Sequence, residues 1–240
     1  WHGKNRLRYA ITPRFAVTSS EQQLKSAGRL AAEFPDVHVH THLAENRDEC
    51  NLVATQFPWS RSYLDVYKQL GLVRERSVFA HCLHLDEPDR QQMAKLGAAI
   101  AFCPTSNQFL GSGLFDLRAA LDSGIRTGIG TDGGGGTSLS MFRTLNEAYK
   151  VLPLQGQSLP GFRALYLATL GAAKALYLDD KIGNLTPGKE ADFVVIDYAA
   201  SSLTERRLSQ SADIAEKLFA LITLGDDRSI ATTYVLGTPV

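Results

Sequence analysis

Over the first two thirds of the chain, short β-branched or apolar runs alternate with stretches of helical periodicity, the sequence form of repeated strand–helix units around a parallel sheet. Five runs predict strands at residues 8–12, 37–41, 77–80, 98–102 and 126–130. Between the first two, Thr18 and Glu21 have the Thr-x-x-Glu spacing of a capping box, and Leu24, Ala27, Leu30, Ala31 and Phe34 then recur at helical spacing, predicting a helix laid over the sheet. Residues 89–96 and 117–123 predict two further helices, each stopped by the glycine that follows, Gly97 and Gly124. Residues 141–152 and 161–178 are helical again.

At Ile182 the pattern changes. The stretch IGNLTPGKEADFVVID places a turn around Pro187 and Gly188 and a strand at 191–196, which predicts a switch to a small β-domain. A charged helical insertion follows at 205–224, and a last strand at 231–236 ends in a Gly-Thr-Pro turn. The expected fold is α/β, with a partial barrel domain at 1–180 and a small β-sandwich portion at 181–240. Fixed-period repeats and low-complexity segments are absent from the sequence.

Composition narrows the function classes. With 240 residues the chain can bury a sizeable core. Its 25 basic and 25 acidic side chains balance, so no global field favours nucleic acid or a membrane surface, and a small ligand is the expected partner. Three cysteines, Cys50, Cys82 and Cys103, without CxxC spacing argue against a disulfide framework or a cysteine zinc site, and a reducing cytoplasm is the expected compartment. No apolar run reaches the roughly 20 residues that span a bilayer. The chain opens at Trp1 rather than Met, and preceding residues are therefore expected.

Candidate chemistry collects where the predicted strands end, the face on which parallel barrels build active sites. The first strand leads to Arg14 and Phe15, the second to His42 and then Glu45, the third to His81, the fourth to the Cys-Pro-Thr-Ser-Asn run that closes on Asn107, and the fifth to Asp132. Two histidines, a glutamate three residues beyond the first, and an aspartate before a glycine run form a set that a purely structural core does not need. Nitrogen and carboxylate donors from separate strand ends suit a divalent ion such as zinc. His38, His40 and His42 share one face of their strand, but only His42 stands at the exit. His40 lies about 7 Å deeper and is expected to be a satisfied interior residue, with His38 structural. Residues 133–136 are all glycine yet lack the GK[ST] ending and GxGxxG spacing of phosphate loops, so close backbone approach around Asp132 is the better explanation.

HTHLAEN at 40–46, FAHC at 79–82, FCPTSNQFLGSGLF at 102–115, GIGTDGGGGTSLSM at 128–141 and GNLTPGKEADFVV at 183–195 are similar, block by block and in order, to bacterial guanine deaminases of the amidohydrolase superfamily. HxxE, AHC and GTD alone would indicate only the broader group with cytosine deaminase and chlorohydrolases; CPTSN with FLGSG, and TPRFA at 12–16, narrow the resemblance to the guanine branch. It implies one zinc in a (β/α)8 barrel beside a small β-sandwich, in a homodimeric hydrolase that converts guanine to xanthine and ammonia. By the same resemblance His42 and Asp132 are metal ligands, Glu45, His81 and Asp132 are catalytic, and Arg14, Phe15 and Asn107 contact the purine.

One departure accompanies the resemblance. The family's first barrel strand ends in a His-x-His pair of zinc ligands, and nothing before His42 has that motif in that role. Only about five of the eight strands of a closed barrel are present. The expectation is therefore the C-terminal part of such an enzyme, an incomplete TIM-type barrel whose isolated metal site binds zinc weakly. Three alternatives stand beside it: a related hydrolase acting on a triazine, pterin or adenosine-like substrate, a non-catalytic purine-binding remnant, and a split enzyme completed by a second polypeptide. Retention of Glu45, which binding alone does not require, speaks against the remnant.

Overall fold

Local capping chemistry sets most of the helix starts. Ser20 Oγ accepts the Gln23 N–H, Ser62 Oγ the Asp65 N–H and Asp86 the Asp89 N–H, each satisfying an amide that the first helical turn leaves without a partner. The computed structural model describes residues 1–240. In chain order it contains β1 (Ala10–Ile11), α1 (Glu21–Glu33), β2 (His38–Leu43), α2 (Arg47–Gln56), α3 (Tyr63–Gln69), β3 (Ser77–His81), α4 (Glu87–Lys95), β4 (Ala99–Phe102), α5 (Pro104–Phe109) and α6 (Leu117–Asp122). These are followed by β5 (Arg126–Ile129), α7 (Met141–Val151), α8 (Gly161–Ala168), α9 (Leu170–Ala175), β6 (Phe193–Ile196), α10 (Ser202–Ser209), α11 (Ile214–Leu224), β7 (Ile230–Val235) and β8 (Thr238–Pro239). No helix is long and apolar enough to cross a membrane.

All five expected strands of the first region form, within one or two residues at most of their ends, and make one sheet in the order β1-β2-β3-β4-β5. Neighbours β1 to β4 pair in parallel, with Ala10 opposite His38, Val39 opposite Ser77 and Val78 opposite Ala99. The chain divides into two units, residues 1–102 with 115–127 and residues 103–114 with 128–240. In the first unit Tyr67, Phe79, Phe102, Phe115, Leu24, Leu43 and Leu64 are fully buried, with Phe102 stacked on Phe115 at 4.6 Å between centroids. Gly97 and Gly124 take the left-handed conformation after α4 and α6. The bonds Gly97 N–H to Ala94 O and Ala98 N–H to Met93 O, repeated after α6 by Gly124 and Ile125, make both ends Schellman motifs.

Three local expectations are corrected. Thr18 lies in a short 3-10 turn, so Ser20, not Thr18, caps α1. On α1 itself Leu30 and Phe34 are exposed while Gly28 is buried, because a Cβ at Gly28 would overlap the Leu70 carbonyl oxygen and the helix sits on its smallest residue. The helix expected over 161–178 is two helices, broken where Thr169 leaves helical backbone (φ −125°, ψ −99°).

In the second unit α7, α10 and α11 close a core of Phe142, Leu208, Ala220 and Leu221, against which Ile196 of β6 and Ile230 of β7 pack. The charged insertion is thus amphipathic: Glu205, Arg206, Asp213 and Glu216 face solvent while Leu208, Leu218 and Leu221 are buried. The three-stranded sheet β6-β7-β8 is antiparallel.

Candidate active site

Parallel pairing of β1, β2 and β3 brings their C-terminal ends to one edge of the sheet, and five of the expected residues gather there. His42 is the fifth residue of β2 and is half-buried. Its Nδ1 lies 2.7 Å from the Arg14 carbonyl oxygen, which also accepts from Thr41 Oγ1 at 3.0 Å and from the His42 N–H at 3.3 Å. A carbonyl only accepts, so Nδ1 carries the proton and Nε2 the lone pair, the arrangement of a histidine prepared to bind a metal. The Phe15 ring stands 5.5 Å from that of His42, the His81 ring stacks on that of His42 at 5.3 Å, and the Arg14 guanidinium carbon lies 5.0 Å over Phe15. Arg14 therefore contributes a backbone acceptor to His42 and an exposed cationic head to the same edge.

Glu45 and His81 approach each other, with Oε2 to Nε2 at 3.6 Å and side chains 12% and 1% exposed. That is too long for a hydrogen bond, but it is an ion pair when the imidazole is protonated. Both sit beside left-handed backbone, Ala44 at φ 49°, His81 at φ 73° and Cys82 at φ 56°. Such conformations are unfavourable for residues with a Cβ and cluster where function requires side chains to be aimed.

A polar network underlies this edge. The Tyr67 hydroxyl accepts the Ala16 N–H at 2.9 Å and donates to the His42 carbonyl at 2.9 Å. Tyr63 donates from its hydroxyl to Glu49 Oε1 at 2.8 Å, and burial pushes its phenol well above the usual range. Glu49 Oε2 accepts the Glu45 N–H at 2.9 Å and the Asn46 N–H at 3.3 Å. Sequence reasoning assigned no helix here and missed Glu49; the signal was present, since Asn46 and Glu49 form a capping box at the start of α2.

In the second unit, Asp132 follows β5 with φ 48°. A Cβ at Gly135 would stand 2.8 Å from Asp132 Oδ2 and 2.9 Å from Ser106 Oγ, and one at Gly136 would overlap the Thr131 carbonyl oxygen. The glycine run therefore lets backbone close over a carboxylate, as expected from its lack of phosphate-loop spacing. Ser106 Oγ is buried without a hydrogen-bond partner. Asn107 lies beside it in α5, 1% exposed.

Other expectations fare variously. Cys82 and Cys103 are buried and in no disulfide, and His38 is buried. His40 is on the His42 face but exposed, not interior, so the depth argument alone did not give its environment. His2 is a tether: its Nδ1 accepts the Tyr9 N–H at 3.1 Å, and Nε2 meets Asp36 at 2.9 Å, which holds the Asp36 carboxyl below its ordinary value. Neither unit contains a group of three or more His, Cys, Asp or Glu side chains placed to share an ion. Each unit nonetheless offers donor chemistry that suits zinc, the fixed tautomer of His42 in the first and the backbone-cradled carboxylate of Asp132 in the second.

The chain is 55% identical over 237 residues to guanine deaminase of Escherichia coli, covering 99% of this chain and 54% of that protein. The solved structure of the E. coli enzyme superposes with a TM-score of 0.99 over 100% of this chain and 56% of its own. A guanine deaminase from C. acetobutylicum, solved with guanine bound in the active site, is 29% identical with a TM-score of 0.85 over 95% of this chain and 54% of its own. An adenosine deaminase from Xanthomonas campestris with bound zinc is 27% identical with a TM-score of 0.84, covering 95% and 50%. The chain spans about half the length of the curated relatives it matches. Amidohydrolase family similarity extends over residues 2–240, and the chain belongs to that family.

Proposed function

We propose that the protein carrying this chain is a zinc-dependent guanine deaminase that hydrolyses guanine to xanthine and ammonia. The observation that carries the reading is the grouping of Arg14, Phe15, His42, Glu45 and His81 at one sheet edge, with the His42 tautomer fixed by the Arg14 carbonyl. His42 and Asp132 would hold the ion, which when bound acidifies water and polarises the group it contacts.

The remaining steps belong to side chains. Glu45 accepts a proton from the attacking water and returns it to the ring nitrogen beside the carbon under attack, acting as base and then acid. His81 Nε2, adjacent to that carboxylate, donates to the oxygen as it adds to the ring. Asp132 passes a second proton to the departing amine, so one water and one guanine become one xanthine and one ammonia. Arg14 offers fixed donors to the acceptor edge of the purine, and Phe15 an apolar face against its ring. Asn107 is the remaining purine contact in this proposal. A barrel portion at 1–180 with a sandwich portion at 181–240, a homodimer and a cytoplasmic setting are part of the same reading.

Guanine consumption by the zinc-loaded protein, measured beside an adenosine, pterin and triazine panel, tests it. Glu45→Gln should lower kcat by about 10²- to 10⁴-fold while zinc content is retained. Turnover of another heterocycle in preference to guanine, or a Glu45→Gln variant with full activity, would sink the proposal.

A further inference from the structure

We propose that Glu49 is a positioning residue that aims Glu45, held in place by Tyr63. This rests on Glu45 being the proton carrier of the proposed reaction. The peptide between Ala44 and Glu45 is fixed at both of its polar ends. Its carbonyl, on Ala44, accepts the Leu83 N–H at 3.1 Å and the His84 N–H at 3.2 Å. Its N–H, on Glu45, donates to Glu49 Oε2 at 2.9 Å. With that plane clamped and Ala44 held at φ 49°, the Glu45 N–Cα bond has a set direction, and the Asn46 N–H bound to the same Glu49 oxygen restrains the backbone that follows, which narrows where the carboxylate beside His81 can lie.

Helix capping by itself does not account for Glu49. A capping-box glutamate reaches back to the N-cap amide, here Asn46, and that bond is the longer one, 3.3 Å against 2.9 Å for the bond to Glu45 outside the helix. The carboxylate is also buried, and its other oxygen is taken by a buried phenol at 2.8 Å. Glutamate is seldom buried unless it is paired, and a surface cap needs no such partner. Each polar atom of the Glu49 side chain is thus engaged, one side facing Tyr63 and the other facing the backbone that carries Glu45.

The test uses the zinc-loaded full protein with Glu49→Ala, Glu49→Gln, Tyr63→Phe and Asn46→Ala. Glu49→Ala should lower kcat about 10- to 100-fold with KM changed less than about threefold and zinc content intact, since misplacement of a reacting group by about 1 Å has effects of that size. Glu49→Gln, whose amide oxygen can still accept the Glu45 N–H, should recover most of kcat, and Tyr63→Phe should fall between. Asn46→Ala removes the other half of the capping box and should lower Tm like Glu49→Ala with kcat near wild type. Hydrogen exchange at the Glu45 amide should quicken in Glu49→Ala and not in Asn46→Ala. Parallel loss of kcat in Asn46→Ala and Glu49→Ala, or unchanged Glu45 exchange in Glu49→Ala, would overturn the positioning role. If wild type leaves guanine untouched, the proposed reaction fails separately, and the exchange experiment still reads the clamp.

Discussion

Replacing Tyr67 by phenylalanine deletes one oxygen atom from the junction of β1 and β2. That oxygen accepts the Ala16 N–H at 2.9 Å, donates to the His42 carbonyl at 2.9 Å and lies 3.3 Å from Thr41 Oγ1. Tyr67 and Ala16 are both fully buried, so water does not replace the lost partner. Burial raises the phenol to about 12, which keeps it protonated and able to donate over the ordinary pH range. An orphaned buried amide costs about 1–3 kcal/mol, and the carbonyl loses a further net bond of about 1 kcal/mol, so Tyr67→Phe should destabilise by about 2–4 kcal/mol. The change appears as a lower urea midpoint at unchanged m-value, and in a protein of this size as a fall in Tm of about 2–4 °C per kcal/mol. A loss below about 0.5 kcal/mol would mean that the hydroxyl does not join the two strand exits, and the account of how Arg14 and His42 are registered would fail with it.

Two further outcomes follow from named contacts. Gly135→Ala brings a Cβ against Asp132 Oδ2 and Ser106 Oγ; it should weaken zinc binding about 10- to 100-fold in chelator competition, as supporting-contact changes do, and unchanged affinity would separate Asp132 from the metal. Hydrogen bonding from Arg228, with Arg143 beside it, holds the buried Asp226 carboxyl at about 2, below its ordinary 3.8. A depressed carboxyl stabilises above its unfolded pKa and loses that contribution as pH falls, so the stability gap between wild type and Asp226→Asn should be full above about pH 4 and shrink towards pH 2. Both arginines are more than half exposed, and added salt should narrow the gap at neutral pH. A gap that persists unchanged at pH 2 would contradict the assignment.

The sheet and the polar strand ends were legible because both follow from local pattern: β-branched runs set the strands, and a His or Asp where an apolar run stops is conspicuous. The glycines after α4 and α6 were legible for the same reason, since a left-handed stop favours one residue type. What was not legible depends on contacts distant in sequence. Tyr67 meets Ala16 across 51 positions and Tyr63 meets Glu49 across 14, and neither hydroxyl leaves a trace in hydropathy. Asn46 and Glu49 did carry a cap signal, but it was absorbed into the HTHLAEN block and α2 went unassigned. Leu30 and Phe34 kept helical spacing yet face solvent, because a backbone approach at Gly28 decides which side of α1 is inside.

The distribution of backbone strain bears on the functional reading independently of similarity. Eight non-glycine residues have positive φ, and four of them are Ala44, His81, Cys82 and Asp132, all at the exits of β2, β3 and β5. Each such conformation costs about 1–2 kcal/mol for a residue with a Cβ, and glycine would remove most of it. For His81 and Asp132 glycine would also remove the side chain, so the strain is inseparable from the chemistry those residues offer. Ala44 offers no chemistry, and a glycine there would relax the turn at the expense of a wider choice of backbone conformations beside Glu45. Alanine restricts that choice, and the Leu83, His84 and Glu49 bonds at the two polar ends of the peptide restrain it further. A strained alanine whose following peptide is bonded at both polar ends is intelligible where a neighbouring carboxylate must point in one direction before any ligand arrives, which is the requirement on the proton carrier proposed for Glu45.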